Sequence, residues 1–156
     1  MTEKEQQALK TIKKYMWGAV GAAALIPFIL VDMLAVSAVQ LKMVAAISKI
    51  YGVPFEANRG KAVIGSLVGS LVPSGVAEVA IVIWKTTPLI NLFGGAAMAL
   101  VTGASTWALG KVFIQHFESG GTFLDLNPHK VREYFKAQFE EGKNMAATTK
   151  AEETAA

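Results

Sequence analysis

The chain has no cysteine, which excludes disulfides, thiolate metal sites and a cysteine nucleophile. Histidine is nearly as scarce. His116 and His129 stand 13 positions apart without a His or Cys neighbour, which is not a zinc spacing. Charged residues make up 17% of the 156, below the usual quarter, and the net charge is only +3. So small an excess, with no aromatic stripe between the bases, gives no footprint for nucleic acid. No HExxH, GxSxG or carboxylate pair is present. The segment GASTWALGK places six residues between Gly103 and the Gly110–Lys111 pair and has Val112 where a Ser or Thr is needed, so it is not a phosphate-binding loop. These absences point away from an enzyme and leave no expected metal or cofactor.

What the chain does have is apolar sequence. It is 53% hydrophobic, and from Tyr15 to Ile114 there are three acids and six bases. YMWGAVGAAALIPFILV runs 17 residues without charge, AVIGSLVGSLVPSGVAEVAIVIW has one acid in 23, and TTPLINLFGGAAMALVTGASTWALG has none in 25. About 20 apolar residues cross a bilayer core, so the last two are long enough and the first is marginal. MLAVSAVQLKMVAAISKIYGV differs: Met33, Val36, Val39 or Gln40, Met43, Val44 and Ile47 recur at helical spacing with Lys42 and Lys49 on another face. The pattern predicts an all-α, membrane-associated bundle of two helical hairpins plus a C-terminal amphipathic helix. Its divisions are a polar helix start (1–14), the apolar hairpins (15–117), a linker (118–127), the amphipathic helix (128–143) and a disordered low-complexity tail (144–156). A signal peptide is the competing reading of the N-terminus, but no small-residue cleavage site follows, so the segment is expected to be retained. Pro27 would kink or end the first hairpin's helix, and Lys85–Pro88 forms the turn of the second. If both hairpins enter from one side, that side receives Lys13, Lys14, Lys42, Lys49, Arg59, Lys61 and Lys111. The positive-inside rule then puts both termini in the cytoplasm.

Small residues supply a packing logic. Gly65 and Gly69 form a GxxxG, and Gly95, Ala99 and Gly103 repeat at four on the next long segment, spacings that let helix backbones approach closely in lipid or, in a chain this rich in Ala and Gly, arise by chance. Glu78 and Asp32 are the acids inside apolar sequence. A carboxylate in mid-membrane costs about 3 kcal/mol on insertion scales, so each needs a partner; a structural hydrogen bond competes with an ion or proton site.

Near residue 118 the polarity reverses. Gly120 and Gly121 are expected to take φ > 0 and act as a hinge, with Phe123, Leu124 and Leu126 folding back onto the bundle. Asn127 is a good N-cap, Pro128 suits the first helical position, and Val131, Phe135 and Phe139 recur every four residues before Gly142 closes the helix. That face suits a bundle, a neighbouring subunit or a membrane surface, and it is the expected partner-docking element.

IPFILVDMLAVSAVQLKMVAAISKIYGVPF and ALGKVFIQHFESGGTFLDL resemble the two signature blocks of the domain of unknown function 697 family, a bacterial membrane-associated helical group similar to the YcjF-type inner-membrane proteins. The resemblance covers roughly residues 15–141. The family's first block often reads Ile-Pro-x-Pro-Gly-x-Asp; here Ile26, Pro27 and Asp32 are kept while the second proline and the glycine are absent. Members stand alone or follow an Era-like GTPase domain, so the resemblance implies architecture and a GTPase context without a reaction. The expectation is a non-catalytic integral membrane module that forms a homo-oligomer or recruits a partner such as a GTPase on another chain. An oligomeric pore lined by Asp32 and Glu78, and a soluble bundle with conditional insertion, are the alternatives.

Overall fold

A computed structural model of the chain describes residues 1–25, 29–71 and 88–155. Among them the protein is all-helical, with α1 (Glu3–Leu25), α2 (Ile29–Tyr51), α3 (Ala57–Gly69), α4 (Pro88–Glu118) and α5 (Pro128–Ala155), and no strand.

Local chemistry sets most of the described helix ends. The Thr2 hydroxyl accepts from Glu5 N–H at 3.1 Å while the Glu5 carboxylate accepts from Thr2 N–H at 3.4 Å, a reciprocal capping box that starts α1. α2 stops at Gly52, which takes φ 69°; Gly52 N–H donates to Lys49 C=O and Val53 N–H to Ser48 C=O, the Schellman pattern. α4 ends the same way. Gly120, at φ 85°, donates to Phe117 C=O, and Gly121 donates to His116 C=O. Asn127 caps α5 by accepting from His129 N–H at 2.9 Å, with Pro128 in the first turn where its missing N–H costs nothing.

The core is built around α4. Residues 102–110 are buried without interruption, because α1, α2 and α5 all pack along this helix and α3 touches it. α1 contributes Ala8, Ile12, Met16 and Ala19, spaced by four, four and three; α2 contributes Met43, Val44 and Ile47; α3 contributes Val63, Ile64 and Leu67. Phe113, Phe117 and Phe123 meet with ring centroids 5.4–5.7 Å apart, and Phe55 packs edge-on to Phe123.

Several expectations change. Gly142 does not close the last helix: α5 continues to Ala155, its glycine buried where the helix crosses α4. An Ala-rich sequence with no proline after 128 has nothing to stop it. Only Gly120 of the glycine pair takes positive φ. Phe123 and Leu126 fold onto the bundle, but Leu124 points out and is 65% exposed. No described helix is long and apolar enough to cross a membrane, so the spanning helices expected from the apolar runs are not found among the described residues.

Candidate functional site

Side-chain contacts fix the register of the bundle. Tyr51 donates to Glu118 at 3.0 Å and Gln40 donates to Ser105 and Thr106, so α2 and α4 run parallel. Ile12 lies against Gly110, where an added Cβ would strike its side chain, and Glu5 acts on Tyr51, which bonds Glu118, so α1 runs antiparallel to both. Gly142 lies against Ala104 and Trp107 while Tyr134 feels the charge of Glu118, which sets α5 antiparallel to α4. The C-termini of α2 and α4 and the N-termini of α1, α3 and α5 therefore share one end. The end of α1 and the starts of α2 and α4, drawn from the uncharged runs, point the other way.

The shared end is closed by the turn 119–127. His116 Nε2 lies 2.8 Å from both Thr122 C=O and an Asp125 carboxylate oxygen; both are acceptors, so this nitrogen carries the hydrogen. Thr122 N–H donates to the same carboxylate at 2.7 Å. This backbone bond, with the His116 contact second to it, holds the Asp125 carboxyl below the usual aspartate range. Gly121 permits the arrangement, since a Cβ there would run into the imidazole. Arg59 ties the turn to α3 by donating to Leu124 C=O at 2.9 Å. Burial, followed by the hydrogen bond to Glu118, pushes the Tyr51 phenol far up, so it remains a donor.

A second polar group lies inside the bundle. Gln40 is 2% exposed, and its amide nitrogen is 3.2 Å from both Ser105 and Thr106 hydroxyl oxygens. Each hydroxyl in turn donates to Thr102 C=O, so the two amide hydrogens meet lone pairs that no other described group fills. The signal for this layer is in the sequence as a glutamine and a Thr-x-x-Ser-Thr run on otherwise apolar faces, but the pairing needs the register.

Gly65 and Gly69 lie on the exposed side of α3, opposite its buried Gly60, Val63, Ile64 and Leu67, with nothing within 4 Å of an added Cβ. Gly103 is buried in the covered stretch of α4, and Gly95 lies further up the same helix. Among the described residues, an added Cβ meets close neighbours at Gly60, Gly110, Gly121 and Gly142. Val131, Phe135 and Phe139 pack on the chain's own core, with Phe135 fully buried, so this face of α5 is already occupied. Asp32 sits on α2, and the surroundings of its side chain, like Glu78 altogether, lie outside the described residues. Among the described residues no group of three His, Cys, Asp or Glu side chains can hold a metal ion.

These features define a helical module with a central buried helix, a histidine-latched polar end and an opposite end where α1 and α4 carry no charge and the start of α2 carries Asp32 alone. The chain belongs to the domain of unknown function 697 family, whose profile matches residues 1–144. It is 40% identical over 147 residues to magnetosome membrane protein 22 of Magnetospirillum gryphiswaldense, an alignment that spans 93% of this chain and 75% of that protein. No solved structure matches.

Proposed function

We propose that the protein is a non-catalytic membrane module whose uncharged end enters the bilayer while its latched end stays in water. The observation that carries this reading is the segregation of charge along the bundle. α1 has no charge after Lys14, α4 has none before Lys111, and α2 has only Asp32 before Lys42. The name of the similar magnetosome membrane protein agrees with this reading. Self-association then uses the open α3 face at Gly65 and Gly69, since small residues allow a second copy to pack closely. A partner such as a GTPase on another chain would meet the latched end, where Leu124 and the turn are exposed; the family resemblance supplies that partner class. Alkaline carbonate extraction of membranes from cells producing the full chain tests the core of the proposal. The chain should stay with the membrane pellet, and its release to the supernatant would refute insertion.

A further inference from the structure

The register places four lysines from three helices at one level. Ile12 abuts Gly110, so Lys13 and Lys14 on antiparallel α1 fall beside Leu109 and Ala108 of α4. Gln40 bonds Ser105 and Thr106, so Lys42 on parallel α2 falls beside Ala108 as well. Lys111 belongs to α4 itself, its ammonium 5.7 Å over the Trp107 ring. At about 1.5 Å per residue the four span roughly one helical turn along the axis. Lys13, Lys14 and Lys42 are exposed and Lys111 is half-buried.

One residue type marks the boundary on the uncharged side. Trp17 follows Lys10, Lys13 and Lys14 on the same stripe of α1, at seven, four and three positions, and remains 39% exposed. Tryptophan is enriched at membrane interfaces because its ring is apolar and its N–H wants a polar partner, and lysine stems reach from such a level toward headgroups. Acids do not cancel the charge. From Gln6 to Phe55 the one acid is Asp32, and α4 has none before Glu118. Glu140 and Glu141 of α5 come near this level, but Glu140 is paired with Lys143, and α5 packs on α4 and α3 without backbone contact to α1 or α2 among the described residues, meeting α1 through the charge of Glu5 near Tyr134 at the latched end.

We propose that Lys13, Lys14, Lys42 and Lys111, with Trp17 on their uncharged side, form a collar that binds anionic phospholipid headgroups and sets the depth of the bundle in the bilayer. This inference rests on the membrane reading above and adds to it a lipid class, a level and the residues that hold it. Each lysine near an anionic surface adds attraction that salt screens, so the collar makes binding depend on lipid charge and on ionic strength.

The test uses the full chain synthesised without cells in the presence of two kinds of vesicle, phosphatidylcholine alone and phosphatidylcholine with a third replaced by phosphatidylglycerol, followed by flotation. The variant K13Q/K14Q/K42Q should lose about tenfold or more of its partition onto the anionic vesicles. K4Q/K49Q/K130Q removes the same charge from nearer the latched end and should stay within about twofold of wild type. Because the chain lacks cysteine, W17C can carry a single environment-sensitive dye. Nitroxides near the headgroup should quench it more than nitroxides at the acyl end. Equal losses in the two triple variants, or stronger quenching from the deep nitroxide, would overturn the collar. Equal flotation of wild type on both vesicles would overturn it while leaving the membrane reading intact. Failure to float on either would remove both.

Discussion

Replacing Gly142 with alanine tests the packing of α5 on α4, because the added methyl has no free direction. An ideal Cβ there would lie 2.9 Å from Ala104 Cα, 3.0 Å from the Ala104 carbonyl oxygen and 3.1 Å from Trp107 Cβ. Carbon contacts are favourable at about 3.5–4.0 Å, and these atoms are backbone or next to it, so no side-chain rotation relieves the clash. The two helices must separate. Overfilling a packed core costs about 1–3 kcal/mol, and this site belongs at the upper end, while alanine regains about 1 kcal/mol of helix propensity. The net expectation is a loss of about 2 kcal/mol, or roughly 4–8 °C in melting temperature for a chain of this size. Gly18→Ala is the control. It lies in a helix, is exposed and has nothing within 4 Å, so the same substitution should stabilise the fold by up to about 1 kcal/mol. Thermal unfolding of both variants in the same detergent, followed by circular dichroism, reads the contrast. If Gly142→Ala melts at or above Gly18→Ala, α5 does not cross α4 at this point and the register deduced from it fails.

Two further outcomes follow from the polar groups. Gln40→Ala should cost about 2–3 kcal/mol in denaturant unfolding, since it leaves a void and strips Ser105 and Thr106 of their shared donor; a loss under about 1 kcal/mol would show that the layer is not closed by this side chain. Asp125 has a folded-state pKa below its unfolded one, so its contribution is complete above the ordinary aspartate value of about 3.9 and is lost as pH falls through the lower folded value. The stability gap between wild type and Asp125→Asn should therefore be widest near neutrality and close in acid, and a gap that does not change with pH would refute the latch.

The all-helical fold is legible because periodicity and end signals agree over long segments. Ala8, Ile12, Met16 and Ala19 mark one face of α1, Asn127–Pro128 starts α5, and Gly52 and Gly120 end helices where only a residue tolerant of positive φ closes a Schellman turn. The site was less legible because it depends on register, which no single segment contains. GxxxG spacing drew attention to Gly65 and Gly69, yet Gly110 and Gly142, in no such motif, are the glycines pressed against Ile12 and Ala104. Spacing shows where a close approach is permitted, not which partner makes it. The same limit hid the lysine collar: positions 13, 14, 42 and 111 are scattered in sequence and level only once Ile12 meets Gly110 and Gln40 meets Ser105. His116 carries no signal in the sequence for a related reason, since its partners Thr122 and Asp125 come within reach only after Gly120 turns the chain back.

α5 constrains how deep the uncharged end can go. It runs antiparallel to α4, with Gly142 beside Ala104 and Trp107, so Ala146 comes level with about Leu100 and is still buried. Beyond it the helix carries Lys150, Glu152 and Glu153 in the direction of α4's uncharged first half. Charges of this kind cost several kcal/mol in hydrocarbon, whereas the residues of α4 from Pro88 to Leu100 have none. The two segments therefore prefer different media, although they leave Ala146 heading the same way. Immersion of α4 past the level of Leu100 requires the last turns of α5 to lie in headgroups or water, off the α4 surface. The family match, which ends at residue 144, stops close to where this divergence begins, and among the described residues Ala146 is the last buried step before it. On this reading the collar fixes where the bilayer starts on the α1, α2 and α4 flank, and the end of α5 fixes how far α4 can enter without parting from its neighbour.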